Sequence, residues 1–127
     1  MTEKNIVAII QARVASKRFP RKVLKKLNGK NLILWVLNRI KKCAEIDKIC
    51  VATTQDPSDD ELVNILENEN FFVFRGDTED VLSRYYNAAL ITEATHIVRI
   101  TADCPFIDPC IITKVINLFE MKQNLDY

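Results

Sequence analysis

The chain has 127 residues, is 48% hydrophobic and 28% charged, and carries a formal net charge of +1, which predicts one ordinary globular domain, residues 1–127, with a single core. Its four cysteines show neither the CxxC pairs of a zinc site nor the density of a secreted disulfide scaffold, so reduced, mostly buried thiols are expected. Because no apolar run reaches the roughly 20 residues of a membrane span and the N-terminus lacks a secretory pattern, we expect a cytoplasmic protein without membrane contact.

The small net charge conceals an uneven distribution of charge. Twelve of the 18 Lys and Arg residues lie between Lys4 and Ala44, where there is no Asp or Glu, whereas residues 45–127 hold sixteen of the 17 acidic residues. A basic lobe that faces an acidic one can hold a polyanion together with its cations. For Lys25, Lys41 and Lys42, a solvated helix face is the better interpretation.

The first predicted element is a strand. Residues 6–10 are a continuous apolar run, which is typical of a strand buried on both faces. The run leads into a segment with five cations in twelve residues, QARVASKRFPRK at 11–22. After an Asn-Gly turn at 28–29, a helix is predicted that Asn31 can cap. Its apolar stripe consists of Ile33, Val36, Leu37 and Ile40.

Three further strand and helix pairs follow. The predicted strands cover residues 48–53, 71–74 and 96–100. Ser58 and Glu61 are spaced as a capping box for the second helix, Asp77 or Thr78 can cap the third, and Asp108 can cap the last. The predicted apolar stripes are Leu82, Tyr85, Tyr86, Ala89 and Leu90 in the third helix, and Ile112, Val115, Ile116 and Phe119 in the last.

Four alternating strands and helices predict an α/β fold class, a three-layer α/β/α arrangement with a mostly parallel sheet and helices on both faces. The carboxyl ends of parallel strands meet at one edge of the sheet, where open α/β sheets bind ligands. Four separate stretches with basic, hydroxyl and carboxylate groups are therefore predicted to converge there: residues 13–22, 53–56, 75–80 and 101–108.

The basic loop at 11–22 is predicted to bind phosphates. The sequence lacks both the GxxxxGK[ST] phosphate loop and the GxGxxG dinucleotide fingerprint, which argues against an ordinary ATPase and against a Rossmann dehydrogenase. Arg13 can bind phosphate as a bidentate fork and Lys22 as a point charge. Backbone amides between Ala12 and Ser16 could add donors.

Asp103 is the carboxylate best placed to hold Mg²⁺, because it directly follows a predicted strand and Mg²⁺ prefers carboxylate oxygens and substrate phosphates. Capping of a turn is the alternative role for Asp103. Asp108 is more typical of a helix cap, and His96, at the head of a strand, is more typical of a packing residue than of a base. Asp80 and Arg84, one turn apart, could pair with each other or reach the ligand.

Four segments, in this order, resemble a known family: IIQARVASKRFPRKVL, ATTQDPSDDE, RGDTEDVLSRYYNAA and IVRITADCPFIDP. They are similar to the cytidylyltransferases related to the spore coat polysaccharide protein SpsF, which belong with the CMP-sialic acid and CMP-KDO synthetases. The resemblance implies a Rossmann-like nucleotide-diphosphosugar transferase fold. It also implies magnesium-dependent transfer of a nucleotidyl group, with CTP as the favoured donor, to a sugar or sugar acid for surface polysaccharide biosynthesis, with release of pyrophosphate.

The resemblance also implies roles for individual residues by their position in the motifs. Arg13 and Lys22 match the phosphate-contacting Arg and Lys of the family, and Asp103 matches its magnesium-binding aspartate. The other residues that match parts of the nucleotide site are Ala12, Ser16, Thr53, Asp80 and Arg84.

The sequence departs from the family pattern in three respects. The family usually has Gly at the positions of Ala15 and Arg21, so the loop could be set differently, since other residues reach positive φ less easily than Gly, and Arg21 adds charge. Relatives also continue beyond Tyr127 with the acceptor-sugar site, so the chain is expected to be the nucleotide-binding half.

Other functions remain open at this point. The chain could be a nucleotide-binding module without turnover, inactive or completed by a partner chain. Nucleic-acid binding has little support, because the cations cluster in a strand-end loop without the aromatic platforms of single-strand binders. A homodimer is possible, and the acceptor sugar is not identified by any residue.

Overall fold

The structure, a computed structural model, describes residues 4–15, 21–102 and 108–121. The strands are β1 (Ile6–Gln11), β2 (Lys26–Leu27), β3 (Lys30–Asn31), β4 (Lys48–Thr54), β5 (Phe72–Gly76) and β6 (His96–Thr101). The helices are α1 (Leu32–Ile40), α2 (Asp60–Asn68), α3 (Val81–Thr92) and α4 (Pro109–Met121), with short 3-10 helices at Lys22–Leu24 and Pro57–Asp59. None of the helices in these ranges combines the length and the apolar composition needed to cross a membrane.

The central sheet has the strand order β5-β4-β1-β6, and all its strands are parallel. Gln11 pairs with Ala52 of β4 and Thr101 of β6, while Thr54 pairs with Gly76 of β5. The carboxyl ends of the four strands therefore lie along one edge, as predicted. The antiparallel pair β2 and β3 forms a small separate hairpin before α1.

The helices cover both faces of the sheet, which confirms the predicted three-layer α/β/α class. The buried apolar residues of α1, α2 and α4 form one cluster with Ala8, Ile10 and Val51 of the sheet. On the opposite face, α3 packs through Ala88 against the residues of β1 and β4 that point the other way. In α4, Ile112 and Ile116 are buried as predicted, but Val115 is exposed.

The predicted apolar face of α3 is right only in part, for Tyr85 and Ala89. Leu82, Tyr86 and Leu90 are exposed, with 79% of the surface of Leu82 accessible. The side chains that α3 buries most deeply are instead Arg84, Ala88 and Thr92, and Tyr85 and Ala89 are partly buried beside them. A small residue at the centre of the contact lets the helix approach the sheet closely, which explains why the large apolar residues of α3 point outward.

The cap of α3 also differs from the prediction. The carboxylate of Asp80 accepts a hydrogen bond of 2.9 Å from the Ser83 amide and caps the helix. The Asp77 carboxylate accepts bonds from the amides of Glu79 and Asp80 at 2.8 and 3.0 Å. These backbone donors hold the pKa of Asp77 below its ordinary value. Asp77 therefore orders the turn before α3, and Asp80 begins the helix.

The predicted capping box of α2 is absent. The Asp56 carboxylate accepts a bond of 2.9 Å from the Ser58 amide and caps the short helix that leads into α2. Glu61 forms an ion pair of 2.8 Å with Arg21 instead of reaching back along the helix. A tertiary partner with opposite charge has thus replaced the local contact that the spacing suggested.

The caps of the first and last helices were predicted with different success. α1 follows Asn31, but this side chain makes no cap bond and donates to the Leu24 carbonyl at 2.6 Å. The Asp108 carboxylate accepts a bond of 2.8 Å from the Cys110 amide at the start of α4. This bond confirms the prediction that Asp108 is a helix cap.

Candidate active site

Six of the eight predicted site residues lie in the described part of the chain, and all six are found at or near the carboxyl edge of the sheet. Ala12 and Arg13 follow β1, Lys22 closes the same loop, and Thr53 lies in β4. Asp80 and Arg84 belong to the start of α3. Ser16 and Asp103 lie outside the described residues.

The basic loop is fixed to the sheet on both sides of Arg13. The amide of Ala12 donates to the Ala52 carbonyl at 3.1 Å, and the amide of Val14 donates to the Asp59 carboxylate at 2.6 Å. The side chains of Ala12 and Val14 are buried, whereas Arg13 is exposed. The sequence made these two amides candidate phosphate donors, but both donate to acceptors within the protein. The group that remains exposed at this point of the loop is the side chain of Arg13.

The far end of the loop returns to the same place. The amide of Arg21 donates to the Val14 carbonyl at 2.9 Å, and Lys22 begins the short helix that follows. Arg21 adopts a φ of 61°, in the left-handed region that favours glycine. The arginine thus adopts a conformation suited to the Gly that the family usually has there, whereas Ala15 has no positive φ. The charge of Arg21 is paired with Glu61.

Asp59 is a site residue that the sequence analysis missed. Only 1% of its surface is exposed. One carboxylate oxygen accepts the Val14 amide, and the other accepts the Thr54 hydroxyl in a short hydrogen bond. In the sequence it belongs to an acidic helix start, a pattern that is typical of solvated carboxylates, so no local signal distinguishes it from its neighbour Asp60.

Arg75 joins the ends of β4 and β5. Its Nε donates to the Thr54 carbonyl at 2.8 Å, its Nη2 donates to the Asp56 carbonyl at 2.9 Å, and its Nη1 lies 2.8 Å from Asp60. The pKa of Asp56 is lowered mainly by hydrogen bonds from Ser58 and, to a smaller extent, by the charges of Arg13 and Arg75. Arg75 is therefore a structural link whose three nitrogens all have acceptors.

Arg84 has unpaired donors although it is almost fully buried. Only 1% of its surface is exposed. Nη1 donates to the carbonyls of Asp77 and Thr78 at 3.0 and 3.1 Å, while Nε and Nη2 have no hydrogen-bond partner among the described residues. Buried polar groups nearly always have partners, so these two donors fit an oxygen-rich ligand. Because Asp80 caps α3, the pair that it might have formed with Arg84 is not observed.

The charges around Arg84 are balanced unevenly. Burial lowers the pKa of Arg84 from its ordinary value, and the nearby charge of Arg13 lowers it further. The carboxylates of Asp59 and Asp77 act in the opposite direction. The positive charge of Arg13 therefore acts in the same direction as burial, and an anionic ligand beside Arg84 would oppose both effects.

Thr53 does not share a face of the sheet with Arg84. Its side chain is buried, and its hydroxyl has no hydrogen-bond partner among the described residues. Alternation along β4 places Thr53 on the same side as Val51, which packs towards α1 and α2, whereas Arg84 comes from α3 on the opposite side. The structure brings these two residues to the same edge but not into contact.

The described residues contain no group of three or more His, Cys, Asp or Glu side chains that could hold a metal ion. Asp56, Asp59 and Asp77, the carboxylates close to the arginines, all accept hydrogen bonds from the protein. This part of the site is thus suited to an anion, and Asp103, the predicted metal ligand, is not among the described residues.

A cavity of about 470 Å³ lies at the opposite edge of the sheet, where β4 and β5 begin. Lys41, Lys48 and Phe71 are among its lining residues, and none of the described site residues lines it. His96 also lies at an amino end, where its ring packs edge-on against Phe119. We place the candidate site at the carboxyl edge, because the unpaired donors of Arg84 and the cation of Arg13 lie there.

Comparison with known proteins identifies the family of the chain. Residues 7–127 match the cytidylyltransferase family. The chain belongs to this family. It is 34% identical to the spore coat polysaccharide biosynthesis protein SpsF of Bacillus subtilis, over 97% of this chain and 52% of that protein.

Two solved structures of the family are similar to the chain in fold. A cytidylyltransferase from Leptospira borgpetersenii has a TM-score of 0.90 and 32% identity, over 96% of this chain and 51% of the other. A CMP:2-keto-3-deoxy-manno-octonic acid synthetase complexed with CTP has a TM-score of 0.84 and 25% identity, over 96% of this chain and 50% of the other. The Rossmann-like cytidylyltransferase fold is therefore confirmed. The chain spans about half the length of the curated relatives that it matches.

Proposed function

We propose that this chain forms the nucleotide-binding part of a cytidylyltransferase that transfers CMP from CTP to a sugar or sugar acid in surface polysaccharide biosynthesis. The observation that carries the proposal is the buried guanidinium of Arg84, which has two donors without a partner among the described residues and feels the charge of Arg13. The membership of the chain in the cytidylyltransferase family, and a relative solved with CTP, support cytidine as the base.

In the proposed reaction, an acceptor oxygen that is already anionic, its proton having passed to solvent, attacks the α-phosphorus of CTP in line with the leaving group. The new O–P bond forms while the bond from the α-phosphorus to the bridging oxygen breaks, and pyrophosphate leaves with the bonding electrons. Arg13 and Lys22 would offset the charge that develops on the phosphates, and the fixed ends of their loop would keep them positioned throughout. Mg²⁺ at Asp103 would supply further charge compensation, and this ligand remains a prediction.

Three finer statements belong to the same proposal. Magnesium is the expected metal, the cytoplasm is the expected compartment, and a homodimer is one assembly that the sequence left open. Support for a dimer comes from the exposed row of Leu82, Tyr86 and Leu90 on α3, because apolar side chains at successive turns of a helix form a surface that a second copy can cover. Sedimentation of the wild type beside Leu82→Lys would test it, since the charged side chain should shift the protein to monomer.

A nucleotide-binding module without turnover is the second candidate. Like the transferase, it would bind the nucleotide through the donors of Arg84 and the cation of Arg13. Such a module would bind CTP saturably but would release no pyrophosphate when a sugar acid is added. A pyrophosphate assay on the 127-residue chain therefore separates the two candidates.

The test of the nucleotide site is calorimetric titration with CTP, ATP, GTP and UTP, with and without Mg²⁺. CTP should bind more tightly than the other nucleotides, and Arg13→Ala and Lys22→Ala should each weaken binding by about tenfold or more, as expected for charged hydrogen bonds. Lys25→Ala is the matched control, because Lys25 is an exposed cation just outside the loop. Asp103→Ala should remove the effect of Mg²⁺. Equal losses for Lys25→Ala and Arg13→Ala, or no binding of any nucleotide, would contradict the proposed site.

A further inference from the structure

The two ends of the basic loop meet at one residue, Val14. The amide of Val14 donates to the Asp59 carboxylate, and the Val14 carbonyl accepts the amide of Arg21. Val14 directly follows Arg13, and Arg21 directly precedes Lys22. The buried carboxylate of Asp59 therefore holds the neighbour of Arg13 directly, through the Val14 amide. It holds the neighbour of Lys22 indirectly, because Arg21 is bonded to the Val14 carbonyl.

The other side of the same carboxylate is fixed to the sheet. Asp59 accepts the hydroxyl of Thr54, the last residue of β4. The carboxylate lies in the short helix at Pro57–Asp59, whose start is held by the bond between Asp56 and Ser58. A buried carboxylate with two good donors is strongly held in place. Asp59 therefore links Val14 of the loop to Thr54 at the end of a central strand.

Asp59 also affects the second arginine of the site. It opposes the effect of Arg13 on the charge state of Arg84. A buried guanidinium with unpaired donors is costly unless negative charge is near. Asp59 thus contributes to the geometry of the loop and to the charge balance that allows Arg84 to remain buried.

We propose that Asp59 is a positioning residue that sets the two described ends of the basic loop, and with them Arg13 and Lys22, relative to the end of β4. Asp59 does not itself contact the nucleotide in this proposal, and it acts through the backbone of Val14. Binding of CTP by the loop rests on the proposed function. The role of Asp59 in positioning the ends of the loop is independent of it.

The first experiment measures amide hydrogen exchange by NMR in the 127-residue protein without nucleotide. Asp59→Asn removes the charge and replaces one acceptor oxygen by a donor. Exchange at Val14 and Arg21 should increase by about tenfold or more relative to Ile9 in the centre of β1, because charged hydrogen bonds are stronger than neutral ones. Glu67→Gln is the control, since it makes the same change of charge at an exposed position of α2.

A second pair of variants keeps the carboxylate intact. Thr54→Val removes the hydroxyl that anchors Asp59 and should increase the exchange rate of the Val14 amide. Thr54→Ser retains a hydroxyl, so its Val14 amide should exchange as slowly as in the wild type. If Asp59→Asn does not fold, this pair decides the question by the same comparison with Ile9. If the exchange rate of the Val14 amide rises no more than that of the Ile9 amide in Asp59→Asn, or in Thr54→Val where Asp59→Asn does not fold, the inference is overturned. Asp59 would then only stabilise the domain as a whole.

The second experiment is titration of the same variants with CTP. Asp59→Asn should weaken binding by about tenfold, as for loss of a charged contact of the loop, and Glu67→Gln should not. Faster exchange with unchanged CTP affinity would overturn the role of Asp59 in the site. If the wild type binds no CTP but the exchange results are as expected, the proposed function fails and the positioning role stands.

Discussion

Gly76 and Arg84 are packed so closely that no side chain fits at Gly76. A Cβ atom there would lie 2.7 Å from Cγ of Arg84 and 2.9 Å from Cε1 of Phe74. Gly76 has no positive φ, so it supplies space and not an unusual backbone conformation. The glycine at the end of β5 thus allows α3 to bring the guanidinium of Arg84 against the edge of the sheet.

The first prediction is that Gly76→Ala lowers the free energy of unfolding by about 1–3 kcal/mol, the usual cost of overpacking. Urea unfolding measures this loss. Adding Arg84→Ala should recover part of it, because the nearest obstructing atom is then removed. Gly29→Ala is the control. Gly29 has open space around it and a φ of +81°, so the stability that this substitution removes is lost through backbone strain and not through packing. A loss at Gly76 that is unaffected by Arg84→Ala would contradict the packing explanation.

The second prediction separates binding from stability at Arg84. Arg84→Met should change the free energy of unfolding by no more than about 1 kcal/mol, since removing buried donors that have no partner in the described part of the chain offsets the loss of two bonds to loop carbonyls. CTP affinity should fall by about tenfold or more, because a charged ligand contact is lost.

Arg75→Met is the contrasting variant for this prediction. All three nitrogens of Arg75 have acceptors, so the substitution should lower the free energy of unfolding by about 1–2 kcal/mol. If Arg84→Met destabilises the protein more than Arg75→Met does, the guanidinium of Arg84 is a structural group and not a ligand-binding one.

The third prediction concerns the left-handed backbone of Arg21. Arg21→Gly and Arg21→Ala both remove the exposed ion pair with Glu61, so the difference between them isolates the backbone. The glycine variant should be more stable than the alanine variant by about 1 kcal/mol, because only glycine enters the left-handed region without steric cost. Thermal or urea unfolding measures the difference. Equal stabilities would show that the strain at this position is relieved elsewhere.

The sequence predicted the elements of the fold well because the signals involved are local. The continuous apolar run of β1 and the stripe of α1 follow directly from burial, and alternation of strands and helices led to the parallel sheet. The inward face of α3 was predicted correctly only in part, because a long cation, Arg84, occupies a core position while Leu82 faces solvent. Apolar periodicity assigns both residues to the wrong side.

The details of the site depended on partners distant in sequence. Asp59 lies 45 residues from the Val14 amide that it accepts, and nothing in the local pattern distinguishes it from an exposed acid. Similarly, Glu61 pairs across the fold with Arg21, although its spacing from Ser58 suggested a local cap. Where several Asp residues are adjacent, tertiary donors decide which carboxylate is buried and which caps a helix.

The fourth prediction concerns Cys50, a buried free thiol in the centre of β4. Burial raises its pKa from the ordinary value of 9.0 to about 11. Below pH 9 the thiol is protonated in both folded and unfolded chains. Between pH 9 and 11 the unfolded chain loses this proton and the folded chain retains it, so the contribution of Cys50 to stability falls as the pH rises, by up to about 2 kcal/mol.

Comparison with Cys50→Ala isolates this titration from those of the other groups. The stability advantage of the wild type over the variant should be largest below pH 9 and should shrink as the pH approaches 11, as measured by urea unfolding at several pH values. Alkylation gives a second measurement: in a Cys104→Ser background, the exposed Cys110 should react rapidly and Cys50 only on unfolding. A constant difference between wild type and variant across this pH range, or rapid alkylation of Cys50 in the folded protein, would show that the thiol is accessible and titrates near its ordinary pKa.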